Sequence, residues 1–291
     1  MSELLASSQG TRAVLDRFGI RARRRYGQNF LIDRSVVEGI LEAAGVDEQD
    51  CVLEIGPGIG TMTQFLSRAA GRVISVEIDQ NLEKVLDYTL EDCGNVTVLY
   101  QDILETDLRA LMEESGGGQP LKCIANLPYY ITTPILLRLL EESACFHSIT
   151  VMVQQEVADR MLATQKDRAY GALSLAVQYH ARPRQVLSVP PSSFFPRPEV
   201  DSAVLTLDVL REPAVAADEG FLFALIRAAF NQRRKTLGNA LSHGFCHEGR
   251  TLSREEVQSA LRQMNLPEDV RGEKLSLEQF AALTELLLNG G

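Results

Sequence analysis

The sequence predicts an α/β fold, with a parallel sheet covered by helices on both faces and a small all-helical domain after it. Short apolar runs alternate with helical patterns over the first two thirds of the chain, which is typical of repeated βαβ units. Beyond Leu210 the apolar spacing becomes purely helical. We therefore predict one domain over residues 1–210, including a basic arm over 1–25, and a helical domain over 211–291.

The predicted strands are short apolar runs separated by helical patterns. The strands fall at residues 51–55, 72–76, 96–100, 121–125 and 148–154, with helices at 60–69, 80–91 and about 134–142 between them. A final pair of strands follows at 185–189 and 202–209, and we expect one of these to run antiparallel. In the second domain, helices are predicted at 221–241, 254–264 and 277–288, with capping boxes at Ser253–Glu256 and Ser276–Gln279.

The composition is that of an ordinary globular protein. The 291 residues are 45% hydrophobic and 23% charged, which excludes collagenous, disordered and disulfide-scaffold classes. No apolar run approaches the length of a membrane span, and the N-terminus lacks the features of a signal peptide. The five cysteines are widely spaced and odd in number, as expected for reduced thiols. These features predict a cytoplasmic protein without membrane contact.

The net charge of −10 argues at first against a polyanionic partner, but the basic residues are unevenly placed. Residues 1–35 hold seven arginines against three acids, and residues 221–244 hold four cations and no acid. Two basic islands on an acidic body could steer a nucleic acid to one face. Ordinary solvated stretches of an acidic protein would look the same, so the charge alone leaves both interpretations open.

A glycine-rich turn follows the first strand of the sheet. Gly56, Gly58 and Gly60 let the backbone turn tightly and approach a ligand closely at the carboxyl end of the strand. A dinucleotide-binding fingerprint would need its third glycine at position 61, where the chain has Thr61. This spacing, with the acidic Glu54 two residues before the first glycine, favours S-adenosylmethionine over NAD. A glycine-rich turn of an unrelated α/β protein is the alternative.

Acidic residues end the next two predicted strands. A carboxylate at Glu77 can accept hydrogen bonds from both hydroxyls of a ribose. Asp102 is placed to accept a hydrogen bond from an adenine amino group, with Ile103 against the ring. Each acid alone is more often a solvated strand end. Three consecutive strand–helix turns with this chemistry nevertheless favour a cofactor that contains a nucleoside.

The fourth strand runs into Asn126-Leu127-Pro128-Tyr129. The exocyclic amine of adenine is a poor nucleophile because its lone pair is delocalised into the ring. The Asn126 side-chain oxygen and the carbonyl of Leu127 or Pro128 can accept its two N–H bonds, which favours a tetrahedral nitrogen aimed at a methyl donor. Pro128 stiffens the loop, and Tyr129 offers a face for stacking the base. This chemistry requires neither a metal nor a dedicated general base.

Taken together, these motifs resemble those of the ribosomal RNA adenine N6-dimethyltransferases, in particular the bacterial branch that modifies small-subunit (16S) RNA. The resemblance covers about residues 20–288. It is carried by YGQNFLID at 26–33, EIGPG at 54–58, NLPY at 126–129, QQEVA at 154–158, VPPSSF at 189–194 and PRPEVDSAV at 196–204. The fold it implies is a Rossmann-like class I methyltransferase with a mostly parallel seven-stranded sheet and a helical C-terminal domain.

The resemblance also implies roles for individual residues. The residues that would contact S-adenosylmethionine are Gln28, Asn29, Leu31, Gly56, Gly58, Glu77, Asp102, Ile103 and Asn126, with Gln28 helping to close a lid. Tyr129 and Phe194 would hold the target adenine. Leu127 stands where DNA adenine methylases have a proline, and a less rigid pocket would admit an amine that already carries a methyl group.

The implied activity places two methyl groups on N6 of each of two adjacent adenines, in the 3′-terminal hairpin loop of 16S ribosomal RNA. Loop bases can be extruded cheaply, which suits an enzyme that must reach the base edge. The expected partner is the RNA within an assembling small subunit, and a monomer without a metal is expected. His243, Cys246 and His247 lie close together but lack a fourth ligand nearby, so zinc is not expected.

RNA contacts are predicted in both basic islands. Arg23, Arg24 and Arg25 lie directly before the segment at 28–31, where phosphate contact is favoured over a solvated turn. In the helix predicted over 221–241, Arg227 and Arg234 are seven residues apart and therefore share a face. The residues that flank this face are Arg233 and Lys235. The apolar residues of the same helix are expected to pack against the first domain.

Three other functions are weaker alternatives. A 23S RNA adenine methylase of the macrolide-resistance type is disfavoured by the long helical C-terminal part and by the run at 190–204. A non-catalytic RNA-binding assembly or transcription factor on the same fold is disfavoured by the intact motifs at 56–58 and 126–129. An NAD oxidoreductase is disfavoured by Thr61 and by the lack of a hydride-transfer constellation.

Overall fold

The computed structural model describes residues 5–21 and 27–290, and their contacts divide the chain into two compact units. The first unit comprises Met1–Ala158 and Arg182–Val209. The second comprises Asp159–Ala181 and Leu210–Gly291. A single boundary at residue 210 was predicted, but the chain enters the second unit at Asp159, leaves it at Ala181 and returns at Leu210.

The first unit is built around a seven-stranded sheet. The strands in chain order are β1 Phe30–Leu31, β2 Cys51–Ile55, β3 Arg72–Glu77, β4 Val96–Tyr100, β5 Leu121–Asn126, β6 Phe146–Gln154, β7 Ala181–Val189, β8 Phe194–Phe195 and β9 Ser202–Val209. The sheet order is β4-β3-β2-β5-β6-β9-β7, and β1 pairs separately with β8. Strands β2 to β6 run parallel to one another, whereas β9 is antiparallel to β6. This confirms the predicted mostly parallel sheet.

The first unit also contains six α-helices in its described residues. They are α1 Ser8–Arg17, α2 Arg34–Ala44, α3 Thr61–Ala69, α4 Glu83–Thr89, α5 Leu108–Ser115 and α6 Thr132–Glu141. Helix α7, Gln155–Leu162, follows β6 and includes the point, after Ala158, where the chain enters the second unit. Side-chain oxygens of Asp33 and Asp107 accept backbone N–H bonds at the starts of α2 and α5. Helix α5 was not predicted, because its eight residues carry too short an apolar pattern to stand out.

The parallel arrangement gathers the carboxyl ends of four strands at one edge of the sheet. In the register, Ile55 at the end of β2 lies opposite Val76 of β3 and Ala125 of β5, and Glu77 lies opposite Tyr100 of β4. The inner strands are almost fully buried because helices cover both faces. The turns that follow β2, β3, β4 and β5 therefore converge, as expected for a ligand site in a parallel α/β sheet.

The N-terminal segment is a packed helix over much of the region predicted to be a basic arm. Ser7 caps α1, which buries Val14 and Leu15 in a cluster with Phe30 and Ile59. The guanidinium of Arg12 lies 4.9 Å from the ring centre of Phe195, a cation–π arrangement. The predicted arm is thus wrong for residues 8–17, whereas Arg23, Arg24 and Arg25 lie outside the described residues.

The second unit has its own apolar core. Its helices are α8 Ala172–His180, α9 Glu219–Asn231, α10 Leu237–Gly244, α11 Arg254–Gln263 and α12 Leu277–Asn289. Tyr170 and Tyr179 are buried in this core, and the Tyr170 hydroxyl donates to the Leu275 carbonyl at 2.9 Å. These contacts explain why residues 159–181 belong to the helical unit. The capping boxes predicted at Ser253 and Ser276 are present.

The helix predicted over 221–241 is interrupted after Asn231. Helix α9 ends there, Lys235 N–H donates to the Gln232 carbonyl at 2.8 Å, and α10 begins at Leu237. Leucines of α10 and apolar residues of α9 share one core, so the chain must turn between the two helices to bury both sets. The apolar face of α9, including Phe221 and Leu225, is therefore buried in the core of its own unit. The prediction was that this face packs against the first domain.

Within residues 5–21 and 27–290, no helix is long and apolar enough to cross a membrane. The same part of the chain contains no group of three or more His, Cys, Asp or Glu side chains arranged to hold a metal ion.

Candidate active site

A cavity opens at the sheet edge where the four turns converge. Its lining comes from the N-terminal segment and from the turns after β2, β3, β4 and β5. The predicted residues that line it are Gln28, Asn29, Leu31, Gly56, Gly58, Glu77, Asp102, Ile103, Asn126, Leu127, Pro128 and Tyr129. The structure thus brings every predicted cofactor residue to one cavity, together with the Asn126–Tyr129 motif.

The glycine loop forms one wall of this cavity. Gly56, Gly58 and Gly60 have φ values of 71°, 60° and 89°, a region that favours glycine because other residues pay a steric penalty there. The Gly56 N–H donates to the Val76 carbonyl at 2.9 Å, which ties the loop to β3. A Cβ added at Gly58 would lie 3.4 Å from the Phe30 ring, which is an ordinary contact. The positive φ values of the turn, rather than close approach to Phe30, therefore require glycine.

Glu77 holds the glycine loop as well as facing the cavity. One carboxylate oxygen accepts the Gly58 N–H at 3.1 Å, and the other accepts the Asp79 N–H at 2.8 Å. Burial raises the pKa of Glu77, although these backbone N–H bonds oppose the change. Each oxygen keeps a further lone pair, so the carboxylate can still accept hydroxyl groups.

Glu54 is a buried carboxyl group. In the sequence it stood out only as the acidic residue two positions before the first glycine of the turn. Its Oε2 accepts the hydroxyls of Thr63 at 2.7 Å and Ser75 at 2.6 Å. Its Oε1 is buried without a hydrogen-bond partner in the described structure, and the residue lines the cavity. Burial, with a smaller contribution from the nearby Glu77, raises the pKa of Glu54 to about 7, although the hydrogen bonds from Ser75 and Thr63 oppose the change. Thr61 likewise lines the cavity with a buried, unpartnered hydroxyl.

The acidic turn after β4 is locally ordered. Asp102 Oδ1 accepts the Leu104 N–H at 2.9 Å, and the Asp102 carbonyl accepts the Thr106 hydroxyl at 2.8 Å. Ile103 is buried and lines the same cavity. One carboxylate oxygen of Asp102 is thus used to fix the turn.

The Asn126–Tyr129 loop is held in one conformation by its neighbours. The Asn126 side-chain amide donates to the Asn29 carbonyl at 3.2 Å, which leaves its oxygen as the free acceptor. The Pro128 carbonyl accepts both the Ile131 N–H at 3.2 Å and the Thr132 hydroxyl at 2.8 Å. Of the two carbonyls that the sequence left open, that of Pro128 is therefore already engaged, and Leu127 is the better candidate.

The segment before α2 closes one side of the cavity. The Gln28 side-chain amide donates to Asp79 at 3.1 Å, and Asn29 donates to the Gly27 carbonyl at 3.1 Å. Gly27 has φ 58° and lies so close to Tyr130 that a side chain there would be 3.2 Å from the ring. Neither Gly27 nor Tyr130 was singled out from the sequence, because their proximity depends on how this segment meets the loop.

Phe194 does not line the cavity with the other predicted site residues. It lies opposite Leu31 in the β1–β8 pair and is only 3% exposed. Its neighbours in the core include Leu31, Met152 and Val204. The structure therefore gives Phe194 a packing role behind the N-terminal segment, and a direct hold on the target base would require this contact to open.

The predicted basic face of the second unit is not formed as expected. Arg227 is exposed on α9, but Arg234 and Lys235 lie in the turn between α9 and α10, also exposed. The prediction that Arg227 and Arg234 share one helix face is therefore wrong. Arg233 forms an ion pair with Glu273 at 2.7 Å and donates to the Arg168 carbonyl.

The sheet order, the glycine loop and the acids at two further strand ends define a class I S-adenosylmethionine-dependent methyltransferase. The family described as ribosomal RNA adenine dimethylase matches residues 19–287. A protein of Alkaliphilus metalliredigens (strain QYMF), named ribosomal RNA small subunit methyltransferase A, is 46% identical over 282 residues, 97% of each chain. A Bacillus licheniformis protein of the same name is 43% identical over 289 residues, 99% of this chain and 98% of its own.

Two solved structures are also similar. A dimethyladenosine transferase from Plasmodium falciparum gives a TM-score of 0.70 at 26% identity, covering 87% of this chain and 95% of its own. The 23S rRNA methyltransferase ErmE gives 0.64 at 26% identity, covering 90% and 100%. The chain belongs to the ribosomal RNA adenine dimethylase family. It is a methyltransferase that uses S-adenosylmethionine to modify adenine in ribosomal RNA, as predicted.

Proposed function

We propose that this enzyme dimethylates N6 of two adjacent adenines in the 3′-terminal hairpin loop of 16S ribosomal RNA during small-subunit assembly. The main support for this reaction is a single cavity. It is lined both by the strand ends suited to a nucleoside and by the Asn126–Tyr129 loop. The choice of RNA is supported by the relatives named ribosomal RNA small subunit methyltransferase A, which match over nearly their full length. A cytoplasmic monomer acting on a partly assembled subunit fits this role.

The cavity offers groups that match the charged end of S-adenosylmethionine. The unpartnered Glu54 Oε1 is a suitable acceptor for an ammonium group, since burial of a carboxylate without a partner is costly. The Thr61 hydroxyl, also buried and unpartnered, can donate to a carboxylate. Glu77 would accept the ribose hydroxyls, and Asp102 with Ile103 would bind the adenine end. The residues present therefore fit the cofactor.

Asn126 and Leu127 would prepare the target amine for attack. The Asn126 oxygen and the Leu127 carbonyl each accept one N–H of the adenine amino group, which holds the nitrogen in a geometry close to that of the transition state. The Asn29 carbonyl fixes the direction of the Asn126 amide through the 3.2 Å hydrogen bond. When bound, S-adenosylmethionine supplies an electrophilic methyl group, so the chain needs no further activating residue. Tyr129 stacks on the base.

The helical unit is proposed to assist binding of the RNA. The exposed side chains of Arg227, Arg234 and Lys235 can contact phosphates, which would strengthen binding without reading sequence. Arg233 contributes less directly because Glu273 already neutralises it. We also propose phosphate contacts for Arg23, Arg24 and Arg25. In the sequence they come shortly before Gln28, the start of the segment at 28–31 that lines the cavity.

The test is mass spectrometry of 3′-terminal fragments of small-subunit RNA after incubation with the protein and labelled cofactor. The expected product carries two methyl groups on each of two adjacent adenines, and Asn126→Ala should give almost none at equal protein concentration. Unmethylated subunits and free 23S RNA are compared as substrates. Methylation of 23S RNA alone, with macrolide resistance on expression, would instead support the resistance-type function. Failure to bind S-adenosylmethionine at any concentration would support a non-catalytic role.

A further inference from the structure

Tyr129 makes a side-chain contact that connects the Asn126–Tyr129 loop to another part of the sheet. Its hydroxyl lies 2.7 Å from the hydroxyl of Ser202, and either group can donate. Ser202 is fully buried and is the first residue of β9, where it lies opposite Gln154 of β6. The tyrosine is thus bonded to a rigid strand 73 residues further along the chain.

The backbone next to Tyr129 is held by hydrogen bonds of the loop. The carbonyl of the preceding Pro128 is fixed by Ile131 and Thr132. On the other side, the Gly27 backbone packs near the loop, since an added Cβ would be 3.5 Å from the Tyr129 nitrogen, an ordinary contact. With the backbone held, the orientation of the ring depends on its two side-chain torsions. The phenolic oxygen lies on the axis of the second torsion, so its hydrogen bond restricts mainly the first torsion, which sets where the ring lies.

We propose that Ser202 is a positioning residue that holds the Tyr129 ring at the place where it can stack on the target adenine. This inference rests on the proposed function, in which Tyr129 stacks on the base. A stacking ring must present one face to the base while the amine is held by Asn126 and Leu127. Ser202 acts through Tyr129 and is too deeply buried to meet the RNA itself.

The kinetic test compares Ser202→Ala, Tyr129→Phe and the double variant, each of which removes one or both hydroxyls. Each single change should lower kcat/KM for the RNA about two- to tenfold, the range expected for one net hydrogen bond. The double variant should be no worse than the worse single variant, because both remove the same contact. Additive losses would overturn the proposal, as would a Ser202→Ala enzyme with wild-type kcat/KM.

Two controls separate positioning from general damage to the fold. Ser148→Ala removes another buried serine hydroxyl, on β6, and should keep wild-type kcat/KM. Calorimetry should give Ser202→Ala the cofactor affinity of the wild type, and a parallel fall in that affinity would overturn the proposal. If Ser202→Ala does not fold, Ser202→Cys keeps a weak donor and should give an intermediate loss.

A second measurement needs no RNA. With meta-fluorotyrosine incorporated, the Tyr129 resonance is identified by its absence in Tyr129→Phe. Ser202→Ala should shift or broaden this resonance, because the ring can then occupy other χ1 positions, while Ser148→Ala leaves it as in the wild type. An unchanged chemical shift and line shape in Ser202→Ala would overturn the proposal. If the wild type fails to methylate small-subunit RNA, the proposed function fails, and the fluorine spectra still decide whether Ser202 holds the ring.

Discussion

Replacing Glu54 by glutamine should stabilise the cofactor-free protein and weaken cofactor binding at the same time. In the folded chain the pKa of this carboxyl is raised from 4.5 to about 7, chiefly because it is fully buried. A change of that size corresponds to about 3 kcal/mol of unfavourable free energy once the group is ionised. Glutamine can still accept from Thr63 and Ser75, but it cannot ionise, so it avoids this cost.

The expected pH dependence follows from the sign of the change in pKa. Between about pH 4.5 and 7 the folded wild type retains a proton on Glu54 that the unfolded chain has lost, so its stability falls as the pH rises. At pH 5 the variant should be more stable than the wild type by only about 1 kcal/mol or less, because most of the cost of ionising Glu54 appears at higher pH. By pH 8.5 Glu54→Gln should be more stable by about 3 kcal/mol, the full cost of ionising Glu54.

Denaturant unfolding from pH 5 to 8.5, without cofactor, measures this difference. The exposed Glu91→Gln is the matched control and should follow the wild type throughout. Calorimetry over the same range should show the wild type binding S-adenosylmethionine more tightly as Glu54 ionises through about pH 7, a trend the variant lacks. If the stability of the variant changed with pH as that of the wild type does, the raised pKa of Glu54 would be refuted. Unchanged cofactor affinity in the variant would refute the proposal that Glu54 Oε1 binds the cofactor.

Three further outcomes are expected. Asn126→Ala should abolish most turnover while the thermal transition survives, because the loss falls on the transition state; methylation near the wild-type rate would remove Asn126 from the mechanism. Glu77→Ala should weaken cofactor binding by roughly 1.5–3 kcal/mol with a smaller effect on RNA affinity, and unchanged calorimetry would contradict this. Neutralising Arg233, Arg234 and Lys235 together should weaken subunit binding and flatten its salt dependence, whereas an unchanged salt slope would mean that this turn faces solvent.

The sequence was sufficient to predict the sheet and most of the cavity. The spacing of apolar residues and the turn residues between them located the strands. The residue types at the strand ends predicted that Gly56, Glu77, Asp102 and Asn126 lie close together, and all four line the cavity. This succeeds because the carboxyl ends of parallel strands must meet at one edge, so residues far apart in sequence are brought together by local patterns alone. The capping boxes at Ser253 and Ser276 were predictable because each is a local motif formed by two residues three positions apart.

Only the tertiary structure decided which distant segments contact one another, because no local sequence pattern predicts those contacts. The chain turns after Asn231 because α9 and α10 must bury their apolar sides in one core. Phe194 is covered by the strand that pairs with it, and Pro128 loses its free carbonyl to the helix that follows. The ionisation of Glu54 likewise depends on the surrounding fold, because a carboxyl group titrates according to its burial and partners rather than its place in a motif.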